Sequence, residues 1–287
     1  MNQRAVLVTG ASTGIGKETA LLLARKGFRV FAGVRRKPDA DRLVRESDGA
    51  VAPLLIDVTD TTSIRDAAHA VGAALHPGES FALVNNAGVA VAAPLELLPL
   101  EELKRQFEVN LFGQVAVTQA FLPLLRSRHG RIVFMGSLFG RIAVPLAGPY
   151  SAAKFALEAV ADAFAIELHP WKIRVTILEP GNIATPIWEK FKNHGAAPRT
   201  GKAGKARGKG TNLYGDVQGS MLRLAEFFSR SGLTPKKVAE VVHRVLTARR
   251  PRARYLVGWD ARLLGRIAPP SPAWLRYWVI RRIIAPK

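Results

Sequence analysis

The chain has 287 residues, of which 48% are hydrophobic, and this length allows one large α/β domain or two small ones. It contains no cysteine, which excludes disulfides, thiolate catalysis and cysteine metal sites. The formal net charge is +20, and residues 188–287 hold 22 Lys/Arg against 5 Asp/Glu, whereas residues 1–187 hold 20 against 17, so the basic character belongs to the C-terminal third.

The first predicted elements are a strand, a glycine-rich turn and a helix. The apolar run of residues 4–8 is typical of a short buried strand, and apolar residues recur at helical spacing from Ile15 onward. Between them, Gly10, Gly14 and Gly16 allow the backbone to approach a pyrophosphate, which would face free N–H groups and the positive end of the helix dipole. The pattern predicts a dinucleotide site, with an ordinary flexible turn as the alternative.

The second predicted strand, residues 29–34, is followed by two arginines. A site that prefers NAD usually carries an acid near this point, which accepts from the ribose 2′-OH. Arg35 and Arg36 can instead form charge-assisted hydrogen bonds to a 2′-phosphate. We therefore expect NADP(H) to be favoured. The alternative is that both arginines are solvated and that NAD(H) is also accepted.

The third and fourth predicted strands, residues 51–56 and 81–84, also end in polar or small residues. Asp57 can accept a hydrogen bond from an adenine amino group. The run from Asn85 to Gly88 lets the backbone lie against the cofactor, and for the Asn85 side chain we expect a purely structural role.

Asn110 lies inside a long predicted helix, where asparagine is a poor helix former. A kink there could free a backbone carbonyl for a water that relays protons to Lys154. A satisfied core asparagine is the alternative.

The fifth predicted strand, residues 131–137, ends at Ser137, and a helix over residues 149–168 follows. Tyr150 and Lys154 are four apart on that helix and therefore project from one face. The cation is expected to lower the pKa of the tyrosine, so that Tyr150 exchanges a proton with a substrate oxygen that Ser137 orients. Lys154 is also expected to bind the nicotinamide ribose.

The sixth predicted strand, residues 173–178, leads into Pro180 and Gly181. We expect this stretch to pass the nicotinamide, with the Ile183 backbone and the Thr185 hydroxyl near its carboxamide. An apolar substrate pocket is predicted from nearby residues, chiefly Leu138, Val144, Leu146 and Trp188.

The segment over residues 258–287 is predicted to be a basic and aromatic extension. Residues 274–284 mix aromatic, aliphatic and arginine side chains, as interfacial membrane helices do. The alternative is a helix packed on the body or against another subunit. No apolar run reaches the roughly 18 residues of a spanning helix, and we expect no signal peptide, so the predicted location is cytoplasmic, with peripheral membrane binding as an option.

Together these motifs resemble the short-chain dehydrogenase/reductase family, and the end of the second strand at Val34 and Arg35 resembles its hydroxysteroid and retinol dehydrogenase branch. The resemblance covers about residues 4 to 187 and implies one Rossmann-like domain over 1–287, a doubly wound parallel sheet with helices on both faces. It also implies no metal, an alcohol or carbonyl substrate, and a homo-oligomer, dimer or tetramer. A substrate lid is expected over 186–232, in which residues 194–210, rich in Gly, Ala and Lys, form a mobile loop and residues 213–230 form a helix.

The predicted catalytic residues are Asn110, Ser137, Tyr150 and Lys154. The predicted cofactor-binding residues are Gly10, Ser12, Thr13, Gly14, Ile15, Gly16, Arg35, Arg36, Asp57, Val58, Asn86, Ala87, Gly88, Tyr150, Lys154, Pro180, Gly181, Ile183 and Thr185.

The sequence therefore predicts an oxidoreductase that moves a hydride between NADP(H), or NAD(H), and a lipophilic alcohol or carbonyl compound. Two other classes of protein compete with this prediction. A polyanion- or nucleic-acid-binding protein would use the basic C-terminal third, but no recognition helix or zinc spacing supports specific binding. A non-catalytic nicotinamide sensor would not need Ser137, Tyr150 and Lys154.

Overall fold

A computed structural model describes residues 4–186 and 231–284, together with residues 214, 217, 219, 220, 223 and 226. Trp188, the lysine-rich stretch over 194–210 and most of the predicted lid and of the predicted helix over 213–230 lie outside the described residues.

Seven parallel strands form one sheet in the described part of the chain. They are β1 (Arg4–Val8), β2 (Arg29–Val34), β3 (Val51–Leu55), β4 (Ser80–Asn85), β5 (Arg131–Met135), β6 (Arg174–Pro180) and β7 (Arg254–Val257), in the spatial order β3-β2-β1-β4-β5-β6-β7. The chain runs outward from β1 to β3 and then returns to place β4 on the other side of β1. A crevice opens where the strand order reverses, outside the carboxyl ends of β1 and β4, which is where such sheets bind ligands.

Helices cover both faces of this sheet. They are α1 (Gly14–Arg25), α2 (Lys37–Glu46), α3 (Thr61–Ala74), α4 (Leu100–Phe107), α5 (Gly113–Ser127), α6 (Gly148–Glu167), α7 (Pro235–Thr247), α8 (Trp259–Ile267) and α9 (Ala273–Ile284). A π-helical turn, Glu108–Phe112, joins α4 to α5, and short 3₁₀ helices span Leu95–Leu97, Leu138–Gly140 and His169–Trp171.

Alternation along each strand divides the core into two layers. In β1, Val6 and Val8 face the layer formed with α1, α2 and α7, whereas Ala5 and Leu7 face the layer formed with α3, α5 and α6. Because both faces are covered, the strands are apolar almost throughout. The predicted doubly wound α/β fold with a helical C-terminal extension is confirmed.

The structure differs from the predicted elements mainly near the ends of strands. The fifth strand ends at Met135 instead of Ser137, because the Ser137 hydroxyl accepts a hydrogen bond from Phe139 N–H at 3.1 Å and begins a 3₁₀ helix. β7 was not predicted, since it is four residues long and only Val257 in it is buried. It exists because its backbone pairs with β6.

Candidate active site

A cavity of about 780 Å³ runs along the carboxyl edge of the sheet, from the glycine turn to the space beneath α8 and α9. Its size is within the range usual for ligand sites. Most of the residues predicted for the site line it: Gly10, Ser12, Thr13, Gly14, Ile15, Gly16, Arg35, Asp57, Val58, Asn86, Ala87, Gly88, Ser137, Leu138, Val144, Tyr150, Lys154, Pro180, Gly181, Ile183 and Thr185.

The glycine turn is held in a conformation that other residues would strain. Gly10 and Gly14 have φ angles of +66° and +57°. A Cβ on Gly10 would lie 2.7 Å from Ala87 Cα, and one on Gly16 would collide with the Gly10 carbonyl. The turn therefore packs directly on the loop after β4, and α1 packs directly on the turn.

Thr9 and Asn86 lock this arrangement with hydrogen bonds. The Thr9 hydroxyl accepts from the N–H groups of Asn86 and Ala87, both at 3.0 Å. The Asn86 amide donates to the carbonyls of Thr9 at 2.9 Å and Gly10 at 3.2 Å. The neighbouring Asn85 amide is buried and donates to the Thr118 hydroxyl at 2.8 Å, which is the structural role expected for it. Hydrogen bonds thus join the loops after β1 and β4 into one continuous part of the cavity wall.

The residues around the turn fit a dinucleotide. Thr13, the N-cap residue of α1, makes no side-chain hydrogen bond to the first helical turn, and that turn contains no acidic residue. Its N–H groups and the positive helix end therefore remain available for a phosphate at the cavity wall. Across the cavity, Asp57 Oδ1 accepts from the N–H and hydroxyl of Thr59 at 2.9 and 2.7 Å. Burial tends to raise the pKa of Asp57, but these bonds and the Arg35 charge hold it below its usual value.

The two predicted phosphate-binding arginines have different surroundings. Arg35 lines the cavity beside Asp57. Arg36 is not part of the cavity wall, because its Nε donates to Asp39 Oδ2 at 2.9 Å. Asp39 is buried and also accepts from Arg42, which in turn donates to the Ser12 carbonyl at 2.9 Å. Arg36 therefore belongs to a carboxylate-centred cluster at the start of α2, and the structure assigns the cavity-facing charge to Arg35.

Ser137, Tyr150 and Lys154 meet at the middle of the cavity. Ser137 follows β5, whereas Tyr150 and Lys154 come from the first turns of α6. The Ser137 hydroxyl hydrogen-bonds the Tyr150 hydroxyl. The Lys154 ammonium lies 5.7 Å from the centre of the Tyr150 ring and donates to the Met135 carbonyl at 2.6 Å. The predicted triad is thus assembled in one place.

The pKa of Tyr150 is raised, whereas the sequence predicted that it would be lowered. Burial raises the pKa of Tyr150 to about 12, and the hydrogen bond to Ser137 opposes this only in part. Burial also lowers the pKa of Lys154 to about 8, against the Glu158 charge, which raises it. Desolvation is thus the largest influence on the pKa of Tyr150, and its direction is opposite to the one predicted from the nearby cation. Tyr150 is therefore protonated at neutral pH and ready to donate.

Asn110 is buried behind the cavity wall instead of lining it. Its amide oxygen accepts from Val89 N–H at 2.8 Å, and its amide nitrogen donates to the Val89 carbonyl at 2.9 Å. It lies in the π-helical turn, so the structure combines the predicted irregular helix with the alternative of a satisfied core asparagine. Asn110 holds the segment after Gly88 in place. The proton relay to Lys154 stays a prediction.

The loop after β6 is held by a residue of the C-terminal extension. Asp260, near the start of α8, lines the cavity and accepts from Asn182 N–H at 2.6 Å. A Cβ on Gly181 would collide with both carboxylate oxygens of Asp260. The C-terminal extension therefore holds the loop predicted to pass the nicotinamide, a role that an isolated aspartate seventy-eight positions away along the chain did not reveal.

The substrate end of the cavity was predicted only in part. Leu138 and Val144 line it, but Leu146 is buried against Ala90 and Ala147 instead. Sequence reasoning missed the apolar wall supplied by the extension, which consists of Trp259, Leu264, Ile267, Leu275, Val279 and Ile280. The helical spacing of Leu264 and Ile267, and of Leu275 and Val279, is the signal that could have indicated it.

Comparisons with known proteins agree with this geometry. Residues 4–195 match the family model described as short chain dehydrogenase. The chain is 34% identical over 259 residues to an NADPH-dependent 3-dehydrocapnine reductase of Ornithobacterium rhinotracheale, covering 88% of each chain. It is 36% identical over 281 residues to human retinol dehydrogenase 5, covering 94% of this chain and 85% of that one. A solved short-chain dehydrogenase from Streptomyces avermitilis is 28% identical, with a TM-score of 0.76 over 98% of this chain and 96% of that one.

Proposed function

Because the chain belongs to the short-chain dehydrogenase family and is an NAD(P)-dependent oxidoreductase, we propose that it transfers a hydride between NADP(H) and the carbonyl or alcohol carbon of a lipophilic substrate. The observation that carries the proposal is the meeting of Ser137, Tyr150 and Lys154 midway between a dinucleotide cradle and an apolar chamber. Neither a polyanion-binding protein nor a passive sensor needs this arrangement.

The chain's own residues handle the substrate oxygen and its proton. When bound, the nicotinamide supplies or accepts the hydride. Ser137 donates a hydrogen bond to the substrate oxygen and orients it, and Tyr150 gives its proton to that oxygen during reduction. The phenolate that remains is stabilised by the Lys154 ammonium beside it. A tyrosine that is protonated at neutral pH suits carbonyl reduction.

The preference for NADP(H) rests on Arg35, a cation at the cavity wall where an NAD-preferring site usually carries an acid. A guanidinium can form two charge-assisted hydrogen bonds with a phosphate. The NADPH dependence named for the 3-dehydrocapnine reductase supports the same choice. NAD(H) is expected to bind more weakly, because it offers this arginine no phosphate.

The substrate class follows from the far end of the cavity. Its wall there is aliphatic and aromatic, with contributions from Leu138, Phe139, Val144, Leu264 and Ile267. A sugar would leave hydroxyl groups unpaired against such a wall, at a cost of about 1–3 kcal/mol each. Retinol, the substrate named for the human relative, is lipophilic.

A carbonyl panel tests the proposed function. The purified protein with NADPH and long-chain or polycyclic ketones and aldehydes is expected to oxidise NADPH, as followed by absorbance at 340 nm. Sugars and short polar aldehydes should react much more slowly, because the apolar wall contributes nothing to binding them. Equal rates for sugars and lipophilic carbonyls would contradict the substrate class, and a lack of turnover with every carbonyl and alcohol would contradict the function.

We also propose that the outer face of α8 and α9 binds an anionic membrane surface. Trp259 and Trp274 are 76% and 69% exposed, and Tyr277 and Trp278 are also exposed. Between residues 259 and 284, five arginines stand against one acid, Asp260, whose carboxylate accepts from the Asn182 N–H. Aromatic and basic side chains together are what an interfacial helix requires. None of the helices described is long and apolar enough to cross a bilayer.

Two features favour a lipid surface over a second copy of the chain. A two-fold dimer built on this face would bring the arginines of both copies together without acidic partners. In addition, Leu264, Ile267, Leu275 and Val279 are exposed and also line the cavity, so the cavity opens on this face. A lipophilic substrate could then pass directly from the bilayer to Tyr150. Any homo-oligomer of the kind predicted would use another face.

Vesicle sedimentation tests the membrane proposal. The protein is expected to sediment with anionic vesicles at low salt, less with neutral ones, and Arg281→Ala/Arg282→Ala should weaken binding roughly tenfold, since each charge contributes at most about 1 kcal/mol before screening. Trp171→Ala is the control, because this exposed tryptophan lies before β6, at the amino ends of the strands, whereas the cavity and α8 lie at the carboxyl ends. Equal binding by both variants, or no sedimentation of the wild type, would contradict the proposal.

A further inference from the structure

A cluster of charged side chains lies behind the catalytic residues, and the mechanism above does not use it. It joins Glu158 and Asp162 on α6, Glu179 on β6, Arg254 on β7 and Arg141 in the turn after the Leu138–Gly140 helix. Glu179 is fully buried and receives two hydrogen bonds from the Arg141 guanidinium. Burying charges is expensive unless they are paired, so a cluster of this size at the base of an active site calls for a reason.

Glu158 connects this cluster to the catalytic residues. It follows Lys154 by one helical turn, so both side chains leave α6 from the same face. Its Oε1 lies against both glycines that flank the Ser137 turn: a Cβ on Gly136 would be 3.0 Å from Oε1, and one on Gly140 would be 3.3 Å from it. Glu158 therefore contacts the backbone around the serine and stands beside the lysine.

The charge balance of the cluster is uneven. Among the residues described, three carboxylates, those of Glu158, Asp162 and Glu179, share two guanidinium groups, those of Arg141 and Arg254. When all three carboxylates are ionised, one negative charge is left over. The Lys154 ammonium is only 3% exposed, and its hydrogen bond goes to the neutral Met135 carbonyl. The unbalanced carboxylate charge lies where it can compensate this buried cation.

The hydrogen bonding of the two Glu158 carboxylate oxygens supports the same assignment. Arg254 Nε donates to Glu158 Oε2 at 3.2 Å, whereas Oε1 is buried without a hydrogen-bond partner among the described residues. Arg254 also pairs with Asp162 at 2.6 Å and with Glu179 at 3.4 Å, so it does not depend on Glu158. Glu158 thus keeps an oxygen uncommitted on the side of the serine turn.

We infer that Glu158 is a positioning residue that keeps the buried Lys154 ammonium charged and in register with Tyr150. This inference rests on the proposed proton transfer by Tyr150. With the carboxylate charge nearby, Lys154 holds its proton at a higher pH than burial alone would allow. Burial and the Glu179 charge raise the pKa of Glu158 itself to about 7, although Arg254 and Arg141 oppose this. Glu158 therefore gains the negative charge that stabilises the Lys154 ammonium as the pH rises through neutrality.

The test compares Glu158→Gln with Asp162→Asn in the full-length protein. Each replacement removes the charge of a carboxylate that pairs with Arg254 and keeps the shape of the side chain nearly constant. Only Glu158 is adjacent to Lys154. The rate of NADPH-dependent reduction is expected to fall at high pH as Lys154 loses its proton, since burial lowers the pKa of Lys154 to about 8. In Glu158→Gln this alkaline limb is expected to move to lower pH by about one unit, because the removed charge favoured the protonated lysine.

Two further measurements separate a positioning role from a structural one. Glu158→Asp keeps the charge and is expected to restore most of the wild-type pH profile. Asp162→Asn should leave the alkaline limb in place even if it lowers the melting temperature. An unchanged limb in Glu158→Gln, or an equal shift in Asp162→Asn, would overturn the inference. Failure of the proposed function would appear differently, as undiminished turnover in Tyr150→Phe.

Discussion

Replacing Tyr150 with phenylalanine is expected to lower kcat/KM by about 10²- to 10⁴-fold, the range that a general acid contributes. The replacement removes only the hydroxyl that carries the proton, while the ring keeps its edge-on contact with Phe139 at a centroid distance of 6.2 Å. The cofactor cradle does not depend on this hydroxyl. NADPH binding, followed by quenching of protein fluorescence, should therefore remain measurable.

Tyr255→Phe is the matched control for this variant. Its hydroxyl accepts a hydrogen bond from Arg252 N–H at 3.1 Å, so the control also loses one hydroxyl and one hydrogen bond. Tyr255 lies on β7 and is not part of the described cavity wall. Turnover close to wild type is expected for Tyr255→Phe. If Tyr150→Phe also kept most of its activity, the proton would have to come from another group.

Arg35→Ala is expected to weaken NADP(H) binding by at least about tenfold while changing NAD(H) binding little. A hydrogen bond to a charged group is worth about 1.5–3 kcal/mol, and 1.4 kcal/mol corresponds to tenfold. The measurement is the ratio of the Kd values for NADPH and NADH, obtained for each variant under identical salt. High salt should reduce the effect, because Arg35 is exposed and its charge is screened.

Arg36→Ala provides the comparison within the same chain. Arg36 is adjacent in sequence and equally cationic, but its guanidinium is bound to Asp39 at the start of α2. Its loss should leave the NADPH/NADH ratio close to wild type and reduce stability slightly. Equal losses for both cofactors in Arg35→Ala would show that this arginine does not bind the 2′-phosphate. A larger change in Arg36→Ala would reverse the assignment.

The parts of the site that could be predicted from sequence are those encoded in short segments. A glycine turn between a strand and a helix specifies its own geometry, since only glycine tolerates the positive φ of Gly10 and Gly14. Two side chains four apart on a helix must share a face, whatever surrounds them, and Tyr150 and Lys154 do so on α6. The doubly wound sheet was expected from the family resemblance that these motifs carry.

Other features depended on contacts between distant segments. Arg35 and Arg36 are indistinguishable in sequence, and only the position of Asp39 decides which of them reaches the cavity. The pKa of Tyr150 was predicted in the wrong direction, because the burial that raises it comes from neighbouring elements. Leu146 looked like a substrate contact, yet it packs against Ala90 and Ala147.

The short motifs carry the resemblance from which the family and the reaction class were predicted, and helical spacing alone puts Tyr150 and Lys154 on one face of a helix. Contacts between distant segments decide which charges face the cavity, how Asp260 and the C-terminal helices complete its wall, and which groups pair with Glu158. Charge compensation and desolvation are sums over neighbours from α6, β6, β7 and α8, and those neighbours are adjacent only after the chain has folded.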